Sequence, residues 1–237
     1  MSEENGKYLA LLPAYNEEAH LGDVLERVKG QISDVLVVDD GSKDNTADIA
    51  RAAGVELLSR GYNCGKGQSL KDGYAWALEQ GYDAVIMLDS DGQHDPACIG
   101  EFIAKYQATH APLIIGARNY GEIPLRRRIP NMIGRTLFSA AVGESIPDNQ
   151  SGYRMLDRKL MQRMLESTEA RYHFEVEMIA ICIAEGWAIE WVTIPTIYAD
   201  EVSKQNPIDQ IIGFPKMCLK ARHLIRERRD EKCSRQK

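Results

Sequence analysis

The chain has 237 residues, 44% hydrophobic and 27% charged, enough for one large α/β domain or two small ones and ordinary for a soluble globular protein. No apolar run approaches the roughly 20 residues that span a bilayer, and the polar, acidic opening Met1-Ser2-Glu3-Glu4-Asn5-Gly6 is unlike a signal peptide. The net charge of −6 conceals an asymmetry, because Lys216 to Lys237 holds nine Lys or Arg against three Asp or Glu.

Such a basic end can touch anionic lipid or nucleic acid, or can be a solvated helix end; nucleic acid is not expected as a partner here. The five cysteines (64, 98, 182, 218, 233) contain no Cys-x-x-Cys pair, which argues against a zinc site and a disulfide framework and for reduced thiols in the cytoplasm.

Lys7 to Leu12 predicts a buried strand stopped by Pro13. Asn16 is a candidate N-cap for a helix whose Leu21, Val24, Leu25 and Val28 share one face. Asp34 to Val38 is a near-continuously apolar strand, as a doubly covered parallel strand should be, and ends in Asp39-Asp40-Gly41-Ser42 before a helix from about Asn45. Val55 to Leu58 is a weaker third strand. The glycine-rich loop Gly61 to Gly67 opens a third helix carrying Leu70, Tyr74, Ala77 and Leu78. A fourth strand, Asp83 to Leu88, ends in Asp89-Ser90-Asp91; Asp95-Pro96 starts a helix to about Gln107, and Leu113 to Gly116 is a fifth strand. This alternation predicts right-handed βαβ units and a parallel sheet.

The second half is less regular. A helix is expected from Asn131 to Val142, preceded by Arg126-Arg127-Arg128, and Pro147 to Arg154 is polar and turn-rich. Glu175 to Glu185 predicts a helix with Val176, Ile179, Ala180 and Ile183 inward; Trp187 to Ile194 predicts a strand, and Pro195 to Pro207 a loop. A last helix starts at Ile208, carries Ile211, Ile212 and Leu219, and is kinked or restarted by Pro215. Without a repeat or linker, the expectation is one domain over residues 1–237.

The chemistry concentrates at strand ends, where open α/β sheets bind ligands. Asp89 and Asp91, with the Gln93 amide oxygen, are hard oxygen ligands suited to Mg²⁺ or Mn²⁺ also held by substrate phosphates. The same acids would be unremarkable in a loop before a capped helix. Lys66 lies in a glycine-rich turn at a helix start, a ready anion site, although the loop lacks P-loop spacing. The five histidines have no spacing for a shared metal, and His94 is a loop neighbour of the site.

Four separated pieces, Pro13-Ala14-Tyr15-Asn16-Glu17, Val37 to Ser42, Asn63 to Gly67 and Asp89-x-Asp91-x-Gln93, have the order and spacing of inverting family 2 glycosyltransferases of the GT-A fold, and the chain resembles them. Asp148 to Arg154 and Ser203-Lys204 resemble the subgroup that makes polyprenyl-phosphate sugars, the dolichyl-phosphate mannose and glucose synthases. The resemblance covers roughly residues 7–204. It implies a Rossmann-like, mostly parallel central sheet flanked by helices. It also implies a nucleotide-sugar-binding half (1–118), an acceptor half (119–207) and a C-terminal helix with a basic tail (208–237). The donor, GDP-mannose or UDP-glucose, would contact Pro13, Ala14 and Tyr15 beside the base, Glu17 at the ribose, and Asp39, Asp40, Lys66, Asp89 and Ser90. Asp89, Asp91 and Gln93 would carry Mg²⁺ or Mn²⁺ as Lewis acid toward the leaving nucleoside diphosphate.

A hydroxyl acceptor needs a general base, whereas a phosphate monoester is largely dianionic and needs cations, preferably Arg. Arg118, Arg135 with Ser139 one turn later, Arg154 and Lys204 are therefore the candidate acceptor contacts for a polyprenyl phosphate, with Arg118 and Asp91 at the reacting centre. Asp148 is the candidate base if the acceptor is instead a hydroxyl of a glycan or small molecule; its plainer reading is an Asx turn before Ser151-Gly152. A non-catalytic nucleotide-sugar sensor is the third reading, against which the intact metal-ligand set argues. Work on a polyprenyl phosphate places the protein in the cytoplasm, at the cytoplasmic face of the membrane, touching anionic lipid or an anchoring subunit. The last helix, with Phe214, Met217 and Leu219, either lies on that lipid or packs on the domain. Two features depart from the subgroup: the chain has no transmembrane helices, and Asp200 and Glu201 sit in a loop that would grip phosphate better with cations.

Overall fold

Seven strands form one sheet in the order β3-β2-β1-β4-β6-β5-β7, in a computed structural model that describes residues 6–119, 125–169, 173–197 and 213–235. The strands are β1 (Tyr8–Ala14), β2 (Val35–Asp39), β3 (Glu56–Ser59), β4 (Ala84–Met87), β5 (Leu113–Arg118), β6 (Arg154–Asp157) and β7 (Ile189–Ile194). The helices are α1 (Leu21–Lys29), α2 (Thr46–Ala52), α3 (Lys66–Glu79), α4 (Ile99–Thr109), α5 (Leu125–Val142), α6 (Arg158–Leu165), α7 (His173–Glu185) and α8 (Phe214–Arg235).

Alternation along β1 sorts the helices into two layers. Ala10 and Leu12 point into a core with Leu21, Val24, Leu25 and Val28 of α1, Ala50 of α2 and Phe102 of α4. Leu9 and Leu11 point the other way, onto Leu70 and Tyr74 of α3, Leu160 and Met161 of α6, Ile179 of α7 and Met217 and Ile225 of α8. Gly73 of α3 approaches β1 so closely that a Cβ there would lie 2.5 Å from a Leu11 methyl.

Six strands run parallel, and β6 runs antiparallel between β4 and β5. This strand lay hidden in the sequence. It has four residues and opens with an arginine, and its Met155 and Leu156 are too short an apolar run to show a period. Its direction matters for the site. Because Arg154 pairs with Met87, the Ser151-Gly152 segment enters at the same edge where β1, β2, β4 and β5 end. α6, capped by the Asp157 side chain on Leu160 N–H at 2.7 Å, was equally concealed.

One expected boundary moves. Asn16 does not cap α1: it sits in the left-handed region at φ 53°, and α1 begins at Leu21. Asn tolerates this region because its short amide bonds locally. Here its Oδ1 accepts from Lys43 N–H at 2.9 Å, lacing the β1–α1 and β2–α2 loops together. Pro215 falls in the first turn of α8, where a missing N–H costs little. Residues 208–212 lie outside the described residues. α8 packs on the domain, burying Met217, Cys218, Ala221 and Ile225 against α7 and α5.

Candidate active site

The donor-side candidates meet at the carboxyl edge of β1, β2 and β4. Pro13 and Ala14 end β1, and Ser90 ties the next loop to them by donating its hydroxyl to Pro13 O at 2.9 Å. Tyr15 is part-exposed at the rim, and Glu17 is buried with its N–H on Thr46 Oγ1 at 2.8 Å. Asp39 and Asp40 are both buried and held by the protein itself. Asp39 accepts from Ser42 N–H and from the Ser59 hydroxyl, at 3.0 and 2.8 Å. Asp40 accepts from the N–H groups of Cys64 and Gly65, at 2.9 and 2.7 Å, and from Arg60 at 2.7 Å. Its carboxylate therefore holds the glycine-rich loop in shape. Gly41, at φ +76°, lets that loop close in, since a Cβ there would meet the Tyr62 backbone at 2.5 Å.

The loop delivers Lys66 as the first residue of α3. Its Nζ donates to Asp89 Oδ1 at 2.5 Å and to Glu175 Oε1 at 2.9 Å. Burial alone would raise the Asp89 carboxyl, but the Lys66 ammonium outweighs it and holds the group down at about 2. Burial would likewise depress Lys66, and the two carboxylates instead keep it protonated well beyond the ordinary lysine range. Gly152 closes over this cluster: a Cβ would stand 2.7 Å from Asp89 Oδ2 and 3.1 Å from Lys66 Nζ. Glu175, at the start of α7, is the member that sequence reasoning missed. It sits inside an ordinary helical pattern, Phe174-Glu175-Val176, and only the tertiary fold turns it to the site.

Asp91 lies beside Asp89, and burial first and the Asp89 charge second push its carboxyl upward. Two hard carboxylates that repel each other at a pocket rim suit a divalent ion. Among the described residues no three His, Cys, Asp or Glu converge into a ready-made cage. The set thus fits an ion completed by a ligand's phosphates, as Mg²⁺ and Mn²⁺ sites commonly are. Gln93, the expected third oxygen ligand, is tied to Asp91 by its two donors. Its backbone N–H and its Nε2 both donate to the Asp91 carboxylate at 3.0 Å, so it steadies that ligand. His94 is buried under the loop, accepts the Asp89 N–H on Nδ1 at 3.0 Å, and rests 5.1 Å from the Tyr153 ring. Burial holds its pKa below the ordinary value although Asp89 and Asp91 pull the other way.

On the acceptor side, Arg118 grips Asp148 with two bonds, Nε to Oδ2 at 2.7 Å and Nη2 to Oδ1 at 3.1 Å. Asp148 is fully buried and also accepts from Gln150 and Ser151 N–H, at 2.9 and 3.2 Å, completing the Asx turn. Burial would raise this carboxyl, and the Arg118 bonds and charge lower it below the ordinary value. A carboxylate so engaged is a poor proton acceptor, which counts against Asp148 as general base. Arg135 and Ser139 do share a face of α5. Arg135 reaches Pro147 O at 3.5 Å, and Ser139 Oγ accepts from Ile146 N–H at 3.1 Å, so both border the Asp148 turn. Arg154 does not join them. It is fully buried, and its guanidinium serves the carbonyls of Ser151 at 2.8 Å, Asn149 at 3.3 Å and Glu175. That work aligns the turn with α7 and rules out contact with an acceptor. Asn149, beside it, is buried with neither end of its amide paired. Lys204, with the whole loop 199–204, lies outside the described residues.

Comparison with known proteins places this geometry. The glycosyl transferase family 2 model matches residues 10–165. The undecaprenyl-phosphate mannosyltransferase of Micrococcus luteus is 33% identical, over 87% of this chain and 90% of its own. The UDP-N-acetylglucosamine–dolichyl-phosphate N-acetylglucosaminyltransferase of Methanococcus voltae is 28% identical, over 86% and 90%. In fold, glucosyl-3-phosphoglycerate synthase from Mycobacterium tuberculosis, crystallised with Mn²⁺, UDP-glucose and phosphoglyceric acid, superposes with a TM-score of 0.72. It is 19% identical and covers 92% of this chain and 80% of that one. The sheet is that of the GT-A fold, and the chain is a glycosyltransferase that belongs to glycosyl transferase family 2.

Proposed function

We propose that the protein moves a hexose, with inversion, from a nucleotide-diphosphate sugar to a polyprenyl phosphate, with Mg²⁺ or Mn²⁺ bound at Asp89 and Asp91. One observation carries the choice of acceptor: Asp148 is spent on Arg118 and on its own turn, while Arg118, Arg135 and Ser139 converge beside it. A phosphate nucleophile needs that cationic rim and no base. The Micrococcus luteus and Methanococcus voltae relatives, by their names, act on lipid phosphates, and the Mycobacterium tuberculosis enzyme holds Mn²⁺ with UDP-glucose.

In this mechanism Pro13, Ala14 and Tyr15 flank the base and Glu17 meets the ribose. Asp39 and Asp40 shape the floor beneath, and Ser90 braces it. Lys66 faces the diphosphate. Arg118, Arg135 and Ser139 hold the acceptor phosphate on the opposite side of the sugar, aligning its oxygen with C1. The bound divalent ion supplies Lewis acidity to the leaving diphosphate. GDP-mannose and UDP-glucose are the proposed donors.

The acceptor calls for a membrane surface, and α5 offers one. Met132, Ile133 and Leu137, 41%, 56% and 52% exposed, line its outer face with Ala140. Thr136 between them turns its hydroxyl back to Met132 O at 2.8 Å. On neighbouring α8, exposed Leu219 lies between exposed Lys216 and Arg222. An apolar stripe with basic neighbours suits an anionic bilayer interface, and α5 carries Arg135 and Ser139 on its other side. No described helix is long and apolar enough to cross a membrane; the proposal is peripheral contact at the cytoplasmic face.

The test is incubation with Mn²⁺ or Mg²⁺, GDP-mannose, UDP-glucose or UDP-N-acetylglucosamine, and a short polyprenyl phosphate. Release of nucleoside diphosphate with formation of a glycosyl-phospholipid is expected. Turnover only with hydroxyl acceptors, abolished by Asp148→Asn, would overturn the reading.

A further inference from the structure

Lys66, Asp89 and Glu175 form an ion cluster whose composition exceeds what a loop anchor needs. Lys66 Nζ lies between two carboxylates, 2.5 Å from Asp89 and 2.9 Å from Glu175. Glu175 is buried, and Arg154 donates to its backbone carbonyl, fixing the first turn of α7. The Lys66 stalk is equally confined: Asp40 pins Cys64 and Gly65 just ahead of it, and Gly152 leaves no room above it. An ammonium has three donors, and these two bonds use two of them. With Asp91 the cluster holds three acids and one base, a formal charge of −2, which one divalent ion would cancel.

If Lys66 were paired with Asp89 alone, an ion arriving on Asp89 would expel it. Glu175 offers a second partner. We infer that Lys66 is a built-in counter-cation which occupies the Asp89 side of the metal site until metal and nucleotide arrive, and that Glu175 is the positioning residue that retains it there, aimed at the diphosphate. The inference rests on the reading of Asp89 and Asp91 as metal ligands. Lys66 then competes with the metal for Asp89 before the nucleotide binds, and its third N–H would donate to a phosphate oxygen once the diphosphate is present. Removing Lys66 and removing Glu175 must therefore shift metal affinity in opposite directions, as any two opposite charges beside the site would; what marks Glu175 as a positioning residue is that its effect depends on Lys66 being present.

The test titrates Mn²⁺ into the full chain and follows the free-ion signal by electron paramagnetic resonance, before and after adding UDP or GDP, with circular dichroism to verify folding. Asp91→Asn should weaken Mn²⁺ binding at least tenfold. Lys66→Met should tighten binding of Mn²⁺ alone by roughly three- to tenfold, a range set by removing one charge at a partly solvated site. Glu175→Gln should weaken it by a similar factor, because Lys66 then falls wholly on Asp89, and should do much less in the Lys66→Met background. Both variants should bind the nucleoside diphosphate more weakly in the presence of Mn²⁺. No effect of Asp91→Asn would overturn the metal reading and this inference together. The expected Asp91→Asn loss, with Lys66→Met weakening Mn²⁺ or leaving it unchanged, would overturn the counter-cation alone. An equal effect of Glu175→Gln in both backgrounds would overturn its positioning role. If Glu175→Gln fails to fold, Lys66→Met decides by the opposed signs of its metal and nucleotide shifts.

Discussion

Asp148 and Asp89 are both carboxylates held ionised chiefly by one basic partner, Arg118 for the fully buried Asp148 and Lys66 for the part-buried Asp89, and their chemistry follows from that. Each has its pKa lowered from the ordinary 3.8, Asp89 to about 2. A carboxyl depressed by folding stabilises the native state at pH values above its unfolded pKa and loses that contribution as pH falls through the folded pKa. Both contributions should therefore be complete above the ordinary carboxyl value and be lost as pH falls through each lowered pKa, for Asp89 at about 2, visible as acid unfolding by near-ultraviolet circular dichroism. Asp148→Asn removes one of them and leaves Arg118 without its counter-charge. The expected loss near neutral pH is about 2–3 kcal/mol, at the low end for a buried pair because part of Arg118 meets water. The variant should also show a shallower acid transition. An unchanged transition would mean that Asp148 contributes nothing beyond the shape of its turn.

Among the elements, α5 rather than α8 presents the broader exposed apolar face. α8 carries the basic tail and looked able to lie on lipid, yet it buries Met217, Cys218, Ala221 and Ile225 in the core. α5 faces the protein with Arg135, Phe138 and Ser139 and faces outward with Met132, Ile133 and Leu137. Among the described residues nothing covers this apolar solvent side. Ile133→Asp with Leu137→Asp should leave folding and turnover of a short, soluble polyprenyl phosphate unchanged. Cosedimentation with vesicles containing phosphatidylglycerol should fall at least tenfold, and turnover of a long-chain acceptor in those vesicles should fall with it. Equal sedimentation of wild type and variant would dispose of the stripe as a membrane contact. The elements of the first half were legible because their periods are clean, as at Leu21, Val24, Leu25 and Val28. β6 and α6 were not, because four and eight residues leave too little pattern to separate a strand or helix from a turn-rich loop.

At the scale of the whole molecule, two apolar layers sandwich the sheet, and among the described residues no three His, Cys, Asp or Glu gather into a metal cage. Chelation should therefore leave the thermal transition of the unliganded protein unmoved. Nucleoside diphosphate with Mn²⁺, at about 100 times its Kd, should add about 2.7 kcal/mol of stability, and a chelator should abolish most of that gain. A transition that drops on chelation without nucleotide would point to a structural metal instead. The acids at the strand ends, the glycine-rich loop and the arginines of the acceptor half were all visible in the sequence by itself, because strand ends and turns are written in local residue patterns. So were the parallel first half and the family. Which of those groups remain available to a ligand was decided only by tertiary structure. Arg154 and Asp148 look as ready to meet a substrate as Arg135 does. Glu175 looks like one more helix residue until β6 inserts backwards between β4 and β5 and brings α7 to the edge. Burial and pairing depend on contacts between residues far apart in the chain, and no local pattern records them.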